Sequence, residues 1–287
     1  MGLAPRAWHD GPGVPRTHAP VNAVSLLDLD PDLGALLEER RRTAARHELL
    51  VRVLRLARGN WAGGELGPAN PGHVGLLVLD GAIAREVVLA DSISTELLGA
   101  GDLIRPWSPR RMVPLLGQHV RWQVLAETRL AVLNRAFGVA LGRYPEVNCM
   151  LLERLDGRAE RLATTKAIAQ LNSVDRRLLA LFWHLAEDWG RMTSEGIVVP
   201  LTLSHRLLGE LVGARRPTVS SALAKLSRDG KLVRRSDDTW LLADEPDGTL
   251  APVSARMIFH RRRLLADPPP ENAHAGRLVT GDRPTQQ

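Results

Sequence analysis

Basic and hydroxyl-bearing residues cluster in one short stretch, where their spacing suits contacts with nucleic acid. Arg215 and Arg216 are adjacent in the chain and are followed by Pro217. If the next residues are helical, the outward face and its flanks are polar or small, and they comprise Pro217, Thr218, Ser220, Ser221, Ala224, Lys225 and Arg228. Guanidinium, ammonium and hydroxyl groups donate hydrogen bonds to phosphate oxygens and base edges. The pattern therefore predicts a DNA-binding surface.

Two short helices must position these side chains, and they divide the segment Leu201–Leu226 at Gly213. Glycine readily takes the left-handed conformation that ends one helix and turns into the next. Thr202 is a plausible N-cap of the first helix, and Pro217 fits the first turn of the second. Apolar residues recur at helical spacing on both sides of the turn, and they are Leu203, Leu207, Leu208, Leu211, Val219, Ala222, Leu223 and Leu226. This arrangement predicts a helix-turn-helix, whose second helix presents its N-terminal residues to the DNA major groove.

A β-hairpin is predicted directly after the second helix, in the segment Ser227–Ala243. A polar turn around Ser236–Asp238 separates two runs that contain apolar residues. Arg234 and Arg235 would then be available for phosphate contacts. Two amphipathic helices joined by a glycine also occur in helical proteins that bind no DNA, so this hairpin wing strengthens the prediction.

The segment and its wing resemble the winged helix-turn-helix of the Crp/Fnr family of bacterial transcription regulators. The matching residues are Thr202, Leu207, Leu211, Gly213, Arg216, Thr218, Val219, Leu223, Leu226 and Gly230. The resemblance implies a homodimer that reads a near-palindromic operator, with Arg216 as the principal base reader. Pro217 and Ser221 replace the acidic and basic readers of the cyclic AMP-responsive members, so we expect a different operator.

The same resemblance suggests roles for the remaining polar residues of this surface. Thr202, Thr218, Ser220 and Lys225 are assigned to phosphates or to helix-end contacts, with Arg215 beside them at the helix start. Arg234 and Arg235 are assigned to contacts from the wing.

Composition fits a DNA-binding protein of the cytoplasm. The 287-residue chain has a net charge of +6, which favours an anionic partner. Its single cysteine, Cys149, allows neither an internal disulfide nor a Cys-ligated iron–sulfur cluster within one chain. No run approaches the roughly 20 apolar residues that span a bilayer, and the first residues lack a signal-peptide pattern. We therefore expect a cytoplasmic location and no membrane partner.

The N-terminal half has short β-prone runs cut by Gly, Asp and Pro, which predicts an all-β sandwich or barrel. The candidate strands are Leu49–Leu56, Gly75–Leu79, Ala82–Leu89, Thr95–Leu98 and Trp122–Leu133. Asp80–Gly81, between two of them, predicts a hairpin turn. This region is similar to the β-roll sensor domain of the Crp/Fnr family, with Gly101–Asp102 before the ligand-binding segment and Ala126 on the closing strand.

The sensor region departs from its cyclic AMP-binding relatives in the phosphate-binding cassette. Those relatives carry a Gly-Glu pair and an Arg-Ser or Arg-Thr pair, and the corresponding segment Ser108–Trp122 has neither. Its two prolines also remove backbone donors. We expect no cyclic nucleotide binding in the usual mode and no other cofactor, with Arg110, Arg111 and Arg121 as solvated surface residues. The roll would sense another ligand or none, and a haem-ligating role for His73 or His119 stays open.

The predicted fold is α+β: a double-stranded β-helix (β-roll), a long dimerisation helix and a C-terminal winged helix-turn-helix. We place a flexible arm at residues 1–24, the sensor at 25–144, the long helix at 145–171 and the DNA-binding domain at 172–245. A basic, Pro-rich, disordered tail would occupy residues 246–287. The long helix carries an interrupted apolar seam that either pairs with a second copy or packs on its own domain, and it comprises Leu151, Leu155, Leu162 and Ala169.

No enzyme is predicted. The sequence contains no Walker loop, Gly-x-Ser-x-Gly elbow, His-Glu-x-x-His motif or paired Cys-x-x-Cys, and no two of its nine histidines have metal-ligand spacing. The preferred hypothesis is a homodimeric regulator that binds double-stranded DNA. An activator would also contact RNA polymerase, although no residue pattern identifies such a surface. The alternative is a ligand- or partner-binding adaptor whose winged helix contacts protein.

Overall fold

The computed structural model describes residues 23–62, 73–107 and 116–242. The predicted tail at 246–287 and the predicted arm up to residue 22 lie outside these ranges, and residues 23 and 24 already belong to the first strand. The N-terminal half consists of β1 (Ala23–Ser25), α1 (Leu26–Leu29), a 3₁₀ turn (Pro31–Gly34), α2 (Glu39–Glu48), β2 (Leu50–Leu56), β3 (Gly59–Trp61), β4 (Gly75–Leu89), β5 (Ser92–Leu98), β6 (Leu103–Ile104) and β7 (Gln118–Leu133). The C-terminal half consists of α3 (Arg135–Leu141), α4 (Pro145–Ala169), α5 (Val174–Trp189), β8 (Arg191–Thr193), β9 (Gly196–Val199), α6 (His205–Val212), α7 (Arg216–Arg228), β10 (Leu232–Arg234) and β11 (Trp240–Leu242).

The N-terminal strands form one antiparallel sheet in the order β1-β2-β7-β4-β5, with β3 paired to β7 and β6 paired to β4. The long strands β4 and β7 pair along almost their whole length, from Gly75 with Leu133 to Leu89 with Gln118. Apolar side chains of these strands form a buried core that includes Trp61, Ile83, Leu98 and Trp122. The predicted β-fold of the N-terminal half is therefore confirmed.

The prediction of a hairpin turn at Asp80–Gly81 is wrong, because β4 runs through both residues as a single strand. The register of β4 against β7 shifts on either side of Asp80, which marks a β-bulge. Gly81 has a φ of 94°, a conformation that favours glycine at the bend. Asp80 accepts hydrogen bonds from the backbone N–H of Arg129 at 3.2 Å and from its Nε at 2.5 Å. The Asp-Gly pair therefore bends the sheet instead of reversing the chain.

The long helix α4 confirms the predicted helical run but corrects its apolar seam. Leu151 is only 3% exposed and packs in a core with α1, α2 and α3. Leu152, Leu155 and Leu162 are instead 56%, 40% and 42% exposed. These positions lie three and seven residues apart, which places them along one face of the helix. We call Leu152, Leu155 and Leu162 the exposed seam.

The C-terminal half forms a winged helical domain. Helices α5, α6 and α7 pack beside a four-stranded antiparallel sheet in the order β10-β11-β9-β8. Phe182 of α5 packs against Trp240 of β11 with ring centroids 4.9 Å apart. None of the helices in the described ranges is long and apolar enough to cross a bilayer.

Candidate nucleic-acid interface

The first helix of the pair, α6, begins at a side-chain cap that the sequence reading misplaced. Ser204 is the N-cap, and its Oγ accepts a hydrogen bond from the backbone N–H of Leu207 at 3.2 Å. Thr202, which was predicted as the cap, lies two residues earlier in the partly exposed segment before the helix. The available signal is the position of Ser204 three residues before Leu207, the spacing at which an N-cap oxygen accepts from a backbone N–H of the first helical turn.

The turn between the helices has the predicted geometry. Gly213 is left-handed, with φ 64° and ψ 44°. The N–H groups of Gly213 and Ala214 both donate to the carbonyl of Gly209, that of Ala214 at 2.8 Å, and these bonds close the helix end. Helix α7 then begins at Arg216, with Arg215 at the N-cap and Pro217 in the first turn. Both helices are therefore fixed by backbone chemistry that the sequence specifies locally.

Helix α7 buries the predicted apolar face, which comprises Val219, Ala222, Leu223 and Leu226. Its opposite side is exposed and contains most of the predicted DNA-facing residues, namely Arg215, Arg216, Pro217, Thr218, Ser221 and Lys225. Ser220 is partly buried, and the Ser220 and Ser221 hydroxyls donate to the carbonyls of Arg216 and Pro217 at 3.1 and 3.2 Å. Each hydroxyl must therefore rotate away from its carbonyl before it can donate to a phosphate.

Lys225 differs from the other predicted phosphate contacts because it already has an anionic partner. Its Nζ lies 2.8 Å from a carboxylate oxygen of Asp175 on α5. The hydrogen bond to Asp175 raises the pKa of Lys225, and the same bond lowers the pKa of Asp175. Lys225 therefore stays protonated and joins α7 to α5, and a phosphate would compete with Asp175 for it.

The wing follows α7 as predicted. Strands β10 and β11 pair from Leu232 with Leu242 to Arg234 with Trp240. Asp238, in the turn, has a positive φ of 65°. Arg234 forms an ion pair with Asp238 at 2.8 Å, and its guanidinium carbon lies 5.7 Å from the Trp240 ring centroid. These two contacts hold the guanidinium of Arg234 in one orientation at the wing, and Arg235 beside it is exposed.

In the sequence His205 is one of nine histidines without metal-ligand spacing, and the structure brings it into this surface. It is the first residue of α6, and its Nδ1 lies 2.8 Å from the Ser220 Oγ on α7. Burial lowers the pKa of His205, and the positive charges of Arg234 and Arg216 lower it further. Arg216, Ser220, Arg234 and His205 therefore form one cluster that joins both helices and the wing.

The N-terminal sheet contacts the helix-turn-helix directly. Glu86 on β4 is buried and lies 3.3 Å from the Arg206 guanidinium on α6. Arg121 on β7 contacts the same carboxylate at 2.8 Å, so it is exposed at the surface, as expected, but is also ion-paired. One helical turn along α6, Glu210 accepts a hydrogen bond from the Thr95 hydroxyl at 3.0 Å and also pairs with Arg206. We call Glu86, Arg121, Arg206, Glu210 and Thr95 the docking cluster.

A second set of ion pairs passes through the long helix. Arg161 of α4 contacts Asp102, which follows Gly101 in the predicted Gly-Asp turn, and it contacts Asp188 of α5 at 3.4 Å. Asp102 is buried and accepts the backbone N–H of Gly99 at 2.8 Å. Burial raises the pKa of Asp102 above its ordinary value. The Gly-Asp turn is thus connected through one arginine to the DNA-binding half.

The interior of the roll contains two tryptophans where the sheet pairs β3 with β7. Trp61 and Trp122 face each other across the register, and their ring centroids are 5.9 Å apart in an edge-on arrangement. Arg85, opposite Trp122 on β4, places its guanidinium carbon 5.9 Å from the Trp122 ring. Arg110 and Arg111 of the predicted cassette segment lie outside the described residues.

Comparisons with known proteins agree with this architecture. Residues 176–246 match the family model of the Crp-like helix-turn-helix domain. The chain is 31% identical over 97 residues to the global nitrogen regulator of Synechocystis sp. This alignment covers 33% of this chain and 41% of that relative. The chain is 33% identical over 97 residues to the global nitrogen regulator of Synechococcus elongatus, covering 33% and 42%. The chain thus matches less than half the length of these relatives.

Solved structures share the fold over most of the chain. A CooA variant from Carboxydothermus hydrogenoformans superposes with a TM-score of 0.52 at 21% identity, covering 68% of this chain and 84% of that one. A cyclic nucleotide-binding domain containing protein from Listeria monocytogenes EGD-e superposes with a TM-score of 0.54 at 16% identity, covering 74% and 96%. At these identities the likeness concerns the fold alone.

Proposed function

We propose, from the Crp-like helix-turn-helix domain that this chain carries on a fold shared with cyclic-nucleotide-binding-domain proteins, that it is a homodimeric, DNA-binding regulator of transcription. The observation that carries the proposal is the cluster of Arg216, Ser220, His205 and Arg234. This cluster places exposed guanidinium groups beside a recognition helix, α7, whose other face is buried in the core. The match of residues 176–246 to the Crp-like domain supports the same function.

Arg216 is the proposed base reader. It is exposed in the first turn of α7, and such N-terminal residues reach base edges when a recognition helix enters the major groove. A guanidinium matches guanine O6 and N7 with two parallel hydrogen bonds. Thr218, Ser221, Arg215 and Arg235 would lie around it as phosphate or groove contacts. Pro217 offers no side-chain hydrogen bond, so we propose that fewer base pairs are read directly than in the cyclic AMP-responsive relatives.

A second copy of this chain is the proposed partner of the exposed seam. Three leucines at 40–56% exposure on one helix face form an apolar strip that water contacts unfavourably. Pairing α4 with its twin around a two-fold axis would bury the strip and present two copies of α7. Two-fold symmetry would then require half-sites about 34 Å apart on a near-palindromic operator.

The sensor is proposed to work without cyclic AMP in the usual mode. The proposal rests on the segment that would hold the cyclic phosphate. The segment Ser108–Trp122 lacks the Gly-Glu and the Arg-Ser or Arg-Thr pairs that the cyclic AMP-binding relatives carry. The roll would then respond to a different ligand, or serve only to position the reader through the docking cluster.

Selection of bound sequences from a random duplex pool tests the function directly. The purified full-length protein, without added ligand, is expected to enrich a two-fold symmetric motif. Its affinity for that motif is expected to fall steeply with added salt, because lysine and arginine contacts release counterions from DNA. If no motif is enriched and the affinity for random duplex DNA hardly changes with added salt, the alternative of an adaptor that binds protein would be favoured.

The Arg216→Ala variant tests the assignment of the reader. We expect a loss of roughly 1–3 kcal/mol of binding free energy and a weaker preference at one base pair per half-site. Arg191→Ala is the matched control, because Arg191 is an exposed arginine on β8, at the edge of the sheet opposite the wing. If Arg216→Ala and Arg191→Ala bind the selected duplex with equal affinity and preference, Arg216 is not the reader.

A further inference from the structure

His205 lies at the contact between α6 and α7, the two helices of the helix-turn-helix. As the first residue of α6 it is partly buried, and its Nδ1 lies 2.8 Å from Ser220 Oγ. The same Oγ lies 3.1 Å from the carbonyl oxygen of Arg216. A hydroxyl has one hydrogen to donate, and when it donates to the Arg216 carbonyl, the ring must donate from Nδ1. His205 therefore supports the first turn of α7, one hydrogen bond away from the proposed base reader.

Positive charge faces His205 from two other elements. Arg216 approaches from α7 and Arg234 from β10, and both lower the affinity of the ring for a proton after burial has already done so. On its own element, Arg206 is the next residue, and the free N–H groups at the start of α6 also disfavour a cation. The free protein consequently holds His205 mainly as the neutral ring at neutral pH.

DNA would reverse this balance. A phosphate backbone at this surface brings negative charge beside Arg216 and Arg234, and it offsets the field that opposes protonation. We propose that His205 takes up a proton when the helix-turn-helix binds DNA, so that the protein's affinity for DNA rises as the pH falls. This inference rests on the proposed function. The imidazolium would add one cation to the interface while keeping its hydrogen bond to Ser220.

The sign follows from linkage. The complex binds the proton more tightly than the free protein, so binding takes up a proton wherever the pH lies between the two pKa values of His205. The lower of these, in the free protein, lies below the ordinary histidine value. DNA affinity is therefore expected to increase as the pH falls below the pKa in the complex, and to level off once the pH is below the pKa in the free protein. One proton gives at most about a tenfold change in affinity per pH unit.

The test compares the dissociation constants of full-length variants with the selected duplex, from about pH 8 to about pH 5.5 at constant ionic strength. His205→Gln keeps groups that can hydrogen-bond to Ser220 but cannot take up a proton. His184→Gln is the matched control, because His184 lies on α5 and its ring nitrogen contacts Glu187 at 3.2 Å. Wild type and His184→Gln are expected to tighten severalfold over this range, and His205→Gln is expected to lose that gain.

A His205→Gln protein with the wild-type pH dependence would overturn the inference. So would an NMR titration in which the His205 ring has the same pKa with and without the duplex. A merely structural role predicts a different outcome, in which His205→Gln changes affinity equally at every pH. If the wild-type chain binds neither the selected duplex nor random duplex DNA at any pH, the proposed function itself fails.

Discussion

Removing Arg121 and Arg206 together is expected to destabilise the protein by more than the sum of the two single changes. Both guanidinium groups contact Glu86, whose side chain is only 6% exposed, at 2.8 Å and 3.3 Å. After either single change the carboxylate keeps one partner. After both changes it is a buried charge without its ion pairs, and such a charge is strongly unfavourable.

The magnitudes follow from exposure. The Arg121 and Arg206 side chains are 50% and 51% exposed, so each pair alone behaves much like a surface salt bridge, worth roughly 0.2–1 kcal/mol. Leaving a buried carboxylate unpaired costs about 3–5 kcal/mol. The coupling between the two arginines is therefore expected to be about 1–4.5 kcal/mol, above the scatter of about 0.5 kcal/mol for independent sites.

Urea unfolding followed by tryptophan fluorescence measures this cycle. Methionine is the suitable replacement, because it keeps most of the apolar stem of each arginine. The loss of the Arg206–Glu210 pair occurs in both the single and the double variant, so it cancels from the coupling. Adding Glu86→Gln to the double variant removes the unpaired charge, and much of the lost stability is expected to return. Arg55→Met serves as a control, because Arg55 and Glu127 are both more than 70% exposed at 4.0 Å.

Additive effects of Arg121→Met and Arg206→Met would refute this reasoning. They would mean that water or structural relaxation, and not the second arginine, compensates the Glu86 charge. Failure of Glu86→Gln to restore stability would point the same way, since the loss would then come from packing of the arginine stems.

Two further predictions concern the turn and the exposed seam. Gly213→Ala is expected to lower the free energy of unfolding by about 1–2 kcal/mol, because alanine is strained at the left-handed φ of 64°. Gly117→Ala is the control, because Gly117 has no positive φ and no close neighbour that a Cβ would meet. Equal melting temperatures for the two variants would contradict the prediction. Leu155→Glu is expected to convert the proposed dimer to a monomer in sedimentation velocity and to weaken operator binding. Leu36→Glu, at another exposed leucine, is expected to leave the dimer intact. An unchanged dimer in the Leu155→Glu protein would show that α4 does not form the interface.

The helix-turn-helix could be predicted closely because each of its parts has a local cause. The Gly213 turn, the Pro217 start and the apolar face from Val219 to Leu226 depend on residues within one or two turns of each other. The hairpin at Ser236–Asp238 is local in the same way. Such features depend little on tertiary context, so their residue types and spacing identify both the elements and the outward face.

The errors arose where one local pattern suits two structures. Asp80–Gly81 fits a hairpin and a β-bulge equally well, and only the continuous pairing of β4 with β7 decides between them. Thr202 and Ser204, two positions apart, are both of residue types that cap helices, and only Ser204 caps α6. Leu151 and Leu152 are neighbours on α4, and which of them is buried depends on how the helix is rotated against α1, α2 and α3.

The docking cluster illustrates the limit of sequence reasoning. Glu86 and Arg206 are 120 residues apart, and each is an ordinary charged residue in its own segment. Burial of Glu86 makes the pairing specific, because a carboxylate beneath a docked helix requires a cation at one position. Helix α6 therefore has two constrained faces: Arg206 and Glu210 fix it to the roll, whereas His205 fixes it to the recognition helix. We therefore expect a displacement of β4 or β5 to be transmitted to α7 through α6, because the same helix contacts both sides.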